Sequence, residues 1–260
     1  MFAEERHQLI AALVAEHGKV TVADLAARFS ITRETVRRDL AQLERTGTLR
    51  RVHGGAVAST SASTTEQSHV TRTTLHADAK QRIADAALDV LPSGDVSVVL
   101  DAGTTTELFA SALAHTASNR AGELLAITHA LPVAARLGAA EEFQLEIVGG
   151  RVRGLTSAAI GPRVVEHYAA LRPDIAFVGT NGLSAGFGLS TPDDLEAAVK
   201  TAIVDSARRV VVLADSSKFG AEALVRFAAL DAVDTVITDA APGGELATAL
   251  EAAEVEVVLA

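Results

Sequence analysis

The chain has 260 residues, of which 22% are charged and 3% are aromatic, and its formal net charge at pH 7 is −10. It contains no cysteine and no tryptophan, which excludes a disulfide framework, a thiolate metal site and a binding mode built mainly on aromatic stacking. It also has no run of 18 apolar residues, and its first residues are acidic. We therefore expect no membrane span, no secretory signal and a cytoplasmic protein.

The charge is distributed unevenly along the chain. Residues 1–57 hold nine Lys or Arg against seven Asp or Glu, a balance of +2, whereas the other 203 residues hold fourteen against twenty-six, a balance of −12. A mildly basic head on an acidic body predicts two parts with different partners.

The first 57 residues predict three short helices and a hairpin. Apolar residues at helical spacing predict a helix over 4–17, and Thr21 and Thr32 are natural N-caps for a second helix and for a third that ends near Arg45. The run 48–57, interrupted by His53-Gly54-Gly55, predicts a small β-hairpin. This order predicts a winged helix-turn-helix, in which the helix after the turn enters the major groove of DNA.

The third helix and the hairpin carry side chains suited to DNA. Arginine forks onto guanine or clamps a phosphate, and threonine contacts a phosphate or a thymine methyl group. The alternative interpretation is a solvated basic surface, because Glu34, Asp39 and Glu44 dilute the charge. We expect DNA contacts from Thr32, Arg33, Thr35, Arg37 and Arg38 on the helix and from Arg50, Arg51 and His53 on the hairpin.

The spacing of these residues resembles a known family. The run Val22-x-x-Leu25-Ala26-x-x-Phe29-Ser30-Ile31-Thr32-x-x-Thr35-Val36-Arg37-Arg38-Asp39-Leu40, with Arg51-Val52-His53-Gly54-Gly55-Ala56, is similar to the DNA-binding head of the DeoR family of bacterial transcriptional regulators. The resemblance covers about residues 5–57. It implies an operator-binding winged helix that reads DNA with the segment from Thr32 to Asp39.

The remainder of the chain predicts a linker and an α/β body. The stretch 58–69 is rich in Ser, Thr and Ala, and we place a linker over 58–76 and a larger domain over 77–260. There, β-branched runs alternate with alanine-rich helical stretches, which predicts a mostly parallel sheet covered on both faces. The predicted strands are 96–100, 124–128, 145–148, 175–178, 210–214, 233–238 and 255–259, and the predicted helices are 80–91, 106–114, 131–137, 161–170, 195–206 and 244–253.

Small or polar residues follow five of the predicted strands. In open α/β sheets the carboxyl edge of the strands is where ligands bind, and a Gly-Thr-Thr loop that leads into a helix can hold an anion. Each such loop taken alone is commonly only a turn, and Arg151 and Arg153 are alternative cations for the anion. We expect an effector to be bound by Asp101, Gly103, Thr104, Thr105, Thr106, Thr128, His129, Gly149, Gly150, Gly179, Asn181, Gly182, Lys200 and Lys218.

The body also resembles the sensor domain of the DeoR family. The resemblance is carried by Leu100-Asp101-Ala102-Gly103-Thr104-Thr105, Val148-Gly149-Gly150, Asp174-x-x-Phe177-Val178-Gly179, Glu196-x-x-x-Lys200 and Asp215-Ser216-Ser217-Lys218-Phe219-Gly220. It implies a fold similar to ribose-5-phosphate isomerase and a phosphorylated sugar whose phosphate lies on the Gly103–Thr106 loop. The chain has Thr128-His129 where the family usually has Thr-Asn.

The related isomerases carry two aspartates in the loop after the strand that matches 175–178, and the loop 179–182 here has no carboxylate. The resemblance therefore implies a sensor and not an enzyme, with no cofactor and no metal. Asp193, Asp194 and Glu196 are interpreted as a solvated start of a helix.

Together these features predict a ligand-controlled repressor of carbohydrate genes. We expect double-stranded operator DNA and a sugar phosphate as partners, a homo-oligomer (dimer or tetramer) and no membrane. The chain resembles actinobacterial members associated with fructose and phosphotransferase sugars, which implies fructose 1-phosphate first and fructose 6-phosphate second, with glycerol 3-phosphate and aldose or amino-sugar phosphates open. The alternatives are a sugar-phosphate isomerase with a DNA-binding head and an architectural DNA binder without a ligand.

Overall fold

The computed structural model of the chain describes residues 3–17, 19–45, 49–52, 54–58, 66, 68–116, 121–138, 140 and 144–260. The chain divides into two compact units, Met1–Thr65 and Glu66–Ala260. A short helix, α4 (His69–Thr74), lies inside the stretch expected as a linker, with Ser68 as its N-cap. This helix lies in the C-terminal unit, which begins at Glu66.

The N-terminal unit is built from helices α1 (Ala3–His17), α2 (Val22–Phe29) and α3 (Arg33–Arg45) around one apolar core. Strand β3 (Gly55–Ala58) pairs antiparallel with β1 (Lys19–Thr21) and β2 (Leu49–Val52). The hydroxyls of Thr21 and Thr32 each accept a 3.1 Å hydrogen bond from a backbone N–H three residues later, which confirms both predicted caps. The sequence pattern does not reveal β1, because three residues are too few to show an alternation.

Seven parallel strands form the central sheet of the C-terminal unit, in the order β15–β14–β12–β9–β4–β5–β6. All seven predicted strands are confirmed to within two residues at each end. They are β4 (Val96–Leu100), β5 (Leu124–Thr128), β6 (Gln144–Ile147), β9 (Ile175–Gly179), β12 (Val210–Leu213), β14 (Thr235–Thr238) and β15 (Glu256–Leu259). Since the strands are parallel, their carboxyl ends meet at one edge of the sheet.

Helices cover both faces of this sheet, as the continuous apolar runs predict. One face carries α5 (Ala77–Asp89), α6 (Thr104–Thr116) and α7 (Leu131–Leu137), and the other carries α8 (Pro162–Ala169), α9 (Asp194–Ser206) and α10 (Gly244–Ala252). Strands β12 and β14 are buried at every residue. The two helix layers leave the carboxyl edge of the sheet as the place where loops gather.

Two small sheets complete the C-terminal unit. Strands β7 (Arg151–Arg153) and β8 (Ala158–Ile160) form a hairpin, and β10 (Gly182–Ser184), β11 (Gly188–Thr191) and β13 (Val225–Ala228) form an antiparallel sheet. With three or four residues each, these strands are too short for a periodicity signal. Across the described ranges of the chain, no helix has the length and apolar character needed to cross a membrane.

Candidate nucleic-acid interface and effector site

Helix α3 is fixed in the core by one face and exposes the other. Val36, Leu40 and Leu43 are buried, as predicted, while the side chains of Arg33, Arg37 and Arg38 are exposed. Arg37 Nη1 lies 3.3 Å from Glu34 Oε2 in an exposed pair, and Arg33 and Arg38 form no ion pair with any described residue. An exposed pair contributes about 0–1 kcal/mol, so all three guanidinium groups remain available for a partner.

Asp39 belongs to the core and not to the exposed face. Its carboxylate accepts from Arg6 Nε at 2.6 Å and from Arg6 Nη2 at 3.0 Å, and it lies 3.0 Å from His7 Nε2. Burial raises the pKa of Asp39, but the bonds from Arg6 and His7 outweigh burial and hold that pKa below its ordinary value. The resemblance places Asp39 at the end of the reading segment, and the structure gives it the role of joining α3 to α1.

The β2–β3 hairpin presents one of its three expected DNA contacts among the described side chains. Arg51 Nε lies 2.6 Å from Glu44 Oε2, and the backbone N–H of Arg51 donates to Glu44 Oε1 at 2.9 Å, which lowers the pKa of Glu44. These bonds tie the hairpin to the end of α3. The side chain of Arg50 and the whole of His53 lie outside the described residues. Gly55 is required here, since a Cβ would lie 2.0 Å from the carbonyl oxygen of Val20.

In the C-terminal unit, Asp101 is the centre of the predicted effector site. It follows β4 and is fully buried. Its Oδ2 accepts a 3.0 Å hydrogen bond from the backbone N–H of Gly179 and a very short one from Lys200 Nζ, which also donates to the carbonyl of Gly179 at 2.9 Å. Its Oδ1 is buried and has no hydrogen-bond partner among the described residues. Thus β4, β9 and α9 build a carboxylate with one oxygen open.

His129 faces that open oxygen. Its Nε2 lies 3.7 Å from Asp101 Oδ1, and its Nδ1 lies 3.0 Å from the hydroxyl of Tyr168. Burial lowers the pKa of His129 to about 4, Asp101 opposes this and Lys200 adds to it, so the ring is neutral at neutral pH. Burial also raises the pKa of Tyr168 well above its ordinary value, which keeps the phenol protonated. Because a carboxylate faces Nε2, we assign the ring hydrogen to Nε2 and the phenol as donor to Nδ1.

The Gly103–Thr106 loop forms the start of α6. The hydroxyl of Thr106 donates to the carbonyl of Gly103 at 2.8 Å, while those of Thr104 and Thr105 make no hydrogen bond with a described residue. The first N–H groups of an α-helix have no partner within the helix and carry its positive dipole end. This end of α6 thus offers two hydroxyls and free N–H groups, starting three residues beyond Asp101.

The remaining predicted effector residues are not all brought together. The hydroxyl of Thr128 donates to the carbonyl of Leu100 at 2.7 Å and accepts from the N–H of Ala130 at 3.1 Å, so it is engaged within the sheet. Asn181 Oδ1 accepts from the hydroxyl of Thr191 at 3.1 Å. Gly182 packs so tightly that a Cβ would lie 2.3 Å from the carbonyl oxygen of Ala221.

A separate cavity of about 750 Å³ lies beside the β7–β8 hairpin and the start of α8. Gly149 and Gly150 line it, together with Arg151, Arg163 and Leu195, and no residue of the Gly103–Thr106 loop does so. These two glycines therefore line a cavity whose walls do not include Asp101.

Two lysines approach the end of β12. Lys218 Nζ lies 4.0 Å from Asp215 Oδ2 and its side chain is 30% exposed. Lys80, on α5, is buried, and its Nζ donates to the carbonyl of Arg72 at 2.5 Å. Burial lowers the pKa of Lys80 to about 8, with Asp215 opposing this and Lys218 adding to it. Sequence reasoning missed Lys80, although its place on the same helical face as the buried Ile83 and Ala87 is a signal of burial.

A cluster of charges around Arg153 was also missed. Glu196 is buried, and burial together with Glu66 raises its pKa, so the interpretation of Asp193, Asp194 and Glu196 as a solvated helix start is wrong for Glu196. Asp193 is the N-cap of α9 and accepts from the N–H groups of Leu195 and Glu196. The local sequence is typical of an exposed first turn, and the buried carboxylate of Glu196 is compensated by Thr156, Lys200 and Arg153, of which the first and last come from distant parts of the chain.

Comparison with known proteins assigns both units to one family. A DeoR-like helix-turn-helix domain matches residues 6–62, and a DeoR C terminal sensor domain matches residues 75–240. The HTH-type transcriptional regulator GlpR of Haloferax volcanii is 35% identical over 99% of this chain and 98% of its own. The glycerol-3-phosphate regulon repressor of Escherichia coli is 33% identical over 92% and 91%. The uncharacterized HTH-type transcriptional regulator FruR of Bacillus subtilis is 34% identical over 92% of each chain.

Among solved structures, ribose 5-phosphate isomerase A of Methanocaldococcus jannaschii covers 55% of this chain and 54% of its own, with 20% identity and a TM-score of 0.39. So distant a likeness says nothing about ligand or activity. The two matched domains span most of the chain, and the relatives match over nearly their whole length. The chain belongs to the DeoR family of transcriptional regulators.

Proposed function

We propose that this chain represses carbohydrate genes by binding operator DNA through α3 and the β2–β3 hairpin, and that a phosphorylated sugar bound around Asp101 controls that binding. The proposal of an effector site rests on the buried Asp101 Oδ1, which lacks a partner among the described residues and lies three residues before the first residue of α6. A buried acceptor without a partner costs about 1–3 kcal/mol, which a ligand hydroxyl recovers.

The two ends of such a ligand match the two parts of the site. The end of α6, with the hydroxyls of Thr104 and Thr105, suits a phosphate dianion, and Lys218 and Lys80 supply positive charge nearby. Asp101 Oδ1 accepts and His129 Nε2 donates, so together they suit one sugar hydroxyl. Lys200 serves mainly to hold Asp101, since its ammonium already binds that carboxylate and the carbonyl of Gly179.

The lead effector is fructose 1-phosphate, followed by fructose 6-phosphate. Glycerol 3-phosphate is already among the open candidates. The names of the relatives support it to the same degree as a fructose phosphate, because one relative is a glycerol-3-phosphate regulon repressor and another is named FruR. All three compounds combine a phosphate with a free hydroxyl. We further propose a dimer or tetramer in the cytoplasm, since winged-helix repressors read paired half-sites on genomic DNA. A source among actinobacteria stays a prediction.

The isomerase alternative is not favoured. Of its two candidate carboxylates, Glu196 is bound by Arg153 and by the hydroxyl of Thr156. The other, Asp174, accepts hydrogen bonds from the N–H and the hydroxyl of Ser97 at 3.0 Å and 2.7 Å, near the amino ends of β4 and β9. Asp101 lies at the opposite edge of the same sheet, so Asp174 is remote from the site. The relatives are named as transcriptional regulators.

A mobility-shift assay tests the proposal. The full chain is titrated onto DNA from upstream of its own gene and of neighbouring sugar-uptake genes, with and without fructose 1-phosphate, fructose 6-phosphate, glycerol 3-phosphate and glucosamine 6-phosphate, and with inorganic phosphate as a control. We expect a specific shift that one sugar phosphate changes and inorganic phosphate does not. A shift that no sugar phosphate changes would favour an architectural binder, and conversion of a phosphate ester during the assay would favour the isomerase.

A further inference from the structure

Arg153, at the end of β7, contacts carboxylates from two distant parts of the chain. Its Nη1 lies 2.6 Å from Glu66 Oε2 and 3.2 Å from Glu196 Oε1, and its Nε lies 3.1 Å from Asp193 Oδ2. The side chains of Glu66 and Glu196 are 2% and 9% exposed, and this one guanidinium contributes charge compensation to both. The hydroxyl of Thr156 donates a further short hydrogen bond to Glu196.

Glu66 begins the segment that follows the N-terminal unit, and polar contacts hold this segment on the C-terminal unit at three more points. The backbone N–H of His69 donates to the carbonyl of Leu155 at 3.0 Å, and His69 Nε2 lies 2.9 Å from Glu107 Oε2. Lys80 Nζ donates to the carbonyl of Arg72. We call Glu66 and residues 68–76 the anchor segment. It packs through charges and hydrogen bonds and has no buried apolar side chain in α4.

The residues that hold the anchor segment lie on the same elements as the proposed effector site. On α9, Glu196 lies one helical turn before Lys200, which binds Asp101. On α6, Glu107 directly follows the Thr104–Thr106 loop. A shift of either helix on ligand binding therefore moves a charge that holds the anchor segment.

The network is incompletely satisfied. Glu66 Oε1 and Arg72 Nε are both buried and have no hydrogen-bond partner among the described residues, although Arg72 Nη1 comes within 3.5 Å of Glu66 Oε1. When a buried network of charged side chains leaves hydrogen-bonding atoms without partners, a second arrangement of the same side chains can have a similar free energy. Two arrangements that differ by a few kcal/mol are what a ligand with a modest preference can switch.

We propose that Arg153 is the positioning residue that couples effector binding to operator binding, by holding Glu66 of the anchor segment and Glu196 of α9 on one guanidinium. The proposal rests on the proposed function, since it concerns how the same site signals. It predicts that breaking the Glu66–Arg153 contact separates the two binding events while each of them persists.

The test uses the full chain as wild type, Glu66→Gln, Arg153→Lys, the double variant and, as a matched control, Glu251→Gln at an exposed position of α10. Operator affinity is measured with and without fructose 1-phosphate and, separately, glycerol 3-phosphate. The ratio of the two operator affinities is the coupling factor, which lies at roughly 5–150-fold in ordinary allosteric proteins. Calorimetry gives effector affinity, and thermal unfolding reports folding.

We expect Glu66→Gln to bind effector and operator as the wild type does, while its coupling factor falls close to one. Arg153→Lys should show the same loss, because Arg153 uses Nη1 for the two glutamates and Nε for Asp193, and the single nitrogen of a lysine does not reproduce this arrangement. The double variant should lose no more than either single variant, as expected for one shared contact. Glu251→Gln should keep the wild-type factor.

Folded variants that keep the wild-type coupling factor would overturn the proposal and leave the proposed function intact. An Arg153→Lys chain that melts earlier but still couples would show that Arg153 only stabilises the fold, and this also overturns it. A wild type whose operator binding is changed by neither probe, nor by the other two sugar phosphates of the mobility-shift assay, would overturn the proposed function, and this inference with it.

Discussion

Asp39 and Asp101 are buried carboxylates beside cations, one in each unit, and they are completed differently. Both oxygens of Asp39 are bound, by the two donors of Arg6 and by His7. Asp101 uses one oxygen for Lys200 and Gly179 and leaves the other without a partner among the described residues. The Asp39 arrangement stabilises the core of the N-terminal unit, and the Asp101 arrangement leaves an acceptor for a ligand. The proposed DNA contacts of the N-terminal unit are therefore exposed, and the proposed effector contacts of the C-terminal unit are buried.

The largest expected effect follows from breaking the ion pair between Asp39 and Arg6. Asp39→Ala leaves Arg6 buried without its partner, which costs about 3–5 kcal/mol. We expect the N-terminal unit to unfold at a much lower temperature and operator binding to be lost, while calorimetry still detects effector binding. Asp24→Ala, at an exposed capping position of α2, is the control and should have a small effect. Retention of full stability in Asp39→Ala would show that the ion pair is not what joins α3 to α1.

A second prediction concerns the proposed effector site of the C-terminal unit. Thr105→Val keeps the shape of the side chain and removes a hydroxyl from the proposed phosphate loop. Loss of one hydrogen bond to a charged group should weaken effector binding by about 1.5–3 kcal/mol, without changing operator affinity in the absence of effector. Thr116→Val at the other end of α6 is the matched control. A normal effector response in Thr105→Val would place the phosphate elsewhere.

The third prediction concerns the exposed contacts. Arg37→Ala should weaken operator binding by about 1–3 kcal/mol and leave effector binding unchanged. A base contact makes the loss larger on the operator than on random DNA, whereas a phosphate contact makes it uniform and lowers the salt dependence. Arg172→Ala removes the same charge from the C-terminal unit and is the control. An operator affinity equal to that of the wild type would remove Arg37 from the interface.

The structure shows which features of the chain can be predicted from the sequence alone. Threonine caps, Gly punctuation and β-branched runs are local signals, and they predict all three head helices and all seven strands of the large sheet. The exposed arginines are predicted for the same reason, because helical spacing decides which side of α3 faces the core. Burial of the Glu66 and Glu196 side chains depends on a partner far away in the chain, Arg153. No local pattern predicts it, and the junction between them is visible only in the folded chain.

The smallest expected effect is a pH dependence that belongs to Lys80. Its pKa is about 8 in the folded chain against an ordinary value of 10.5, so between these values the unfolded chain binds more protons than the folded one. The contribution of Lys80 to stability therefore rises with pH across this window. Lys80→Met should lack that rise, so the difference in urea unfolding free energy between wild type and variant should change from pH 8 to pH 10. A constant difference would contradict a buried lysine with a lowered pKa.

The central claim, that the effector and the operator bind to one coupled system, is tested most directly by measuring effector affinity twice. Calorimetry with the free protein and with the protein–operator complex gives two dissociation constants for the same sugar phosphate. Thermodynamic reciprocity requires their ratio to equal the factor by which that effector changes operator affinity. The account predicts two clearly different constants that satisfy this equality. Equal dissociation constants in the two experiments would contradict it, because a ligand that binds the free protein and the operator complex equally well cannot change operator affinity.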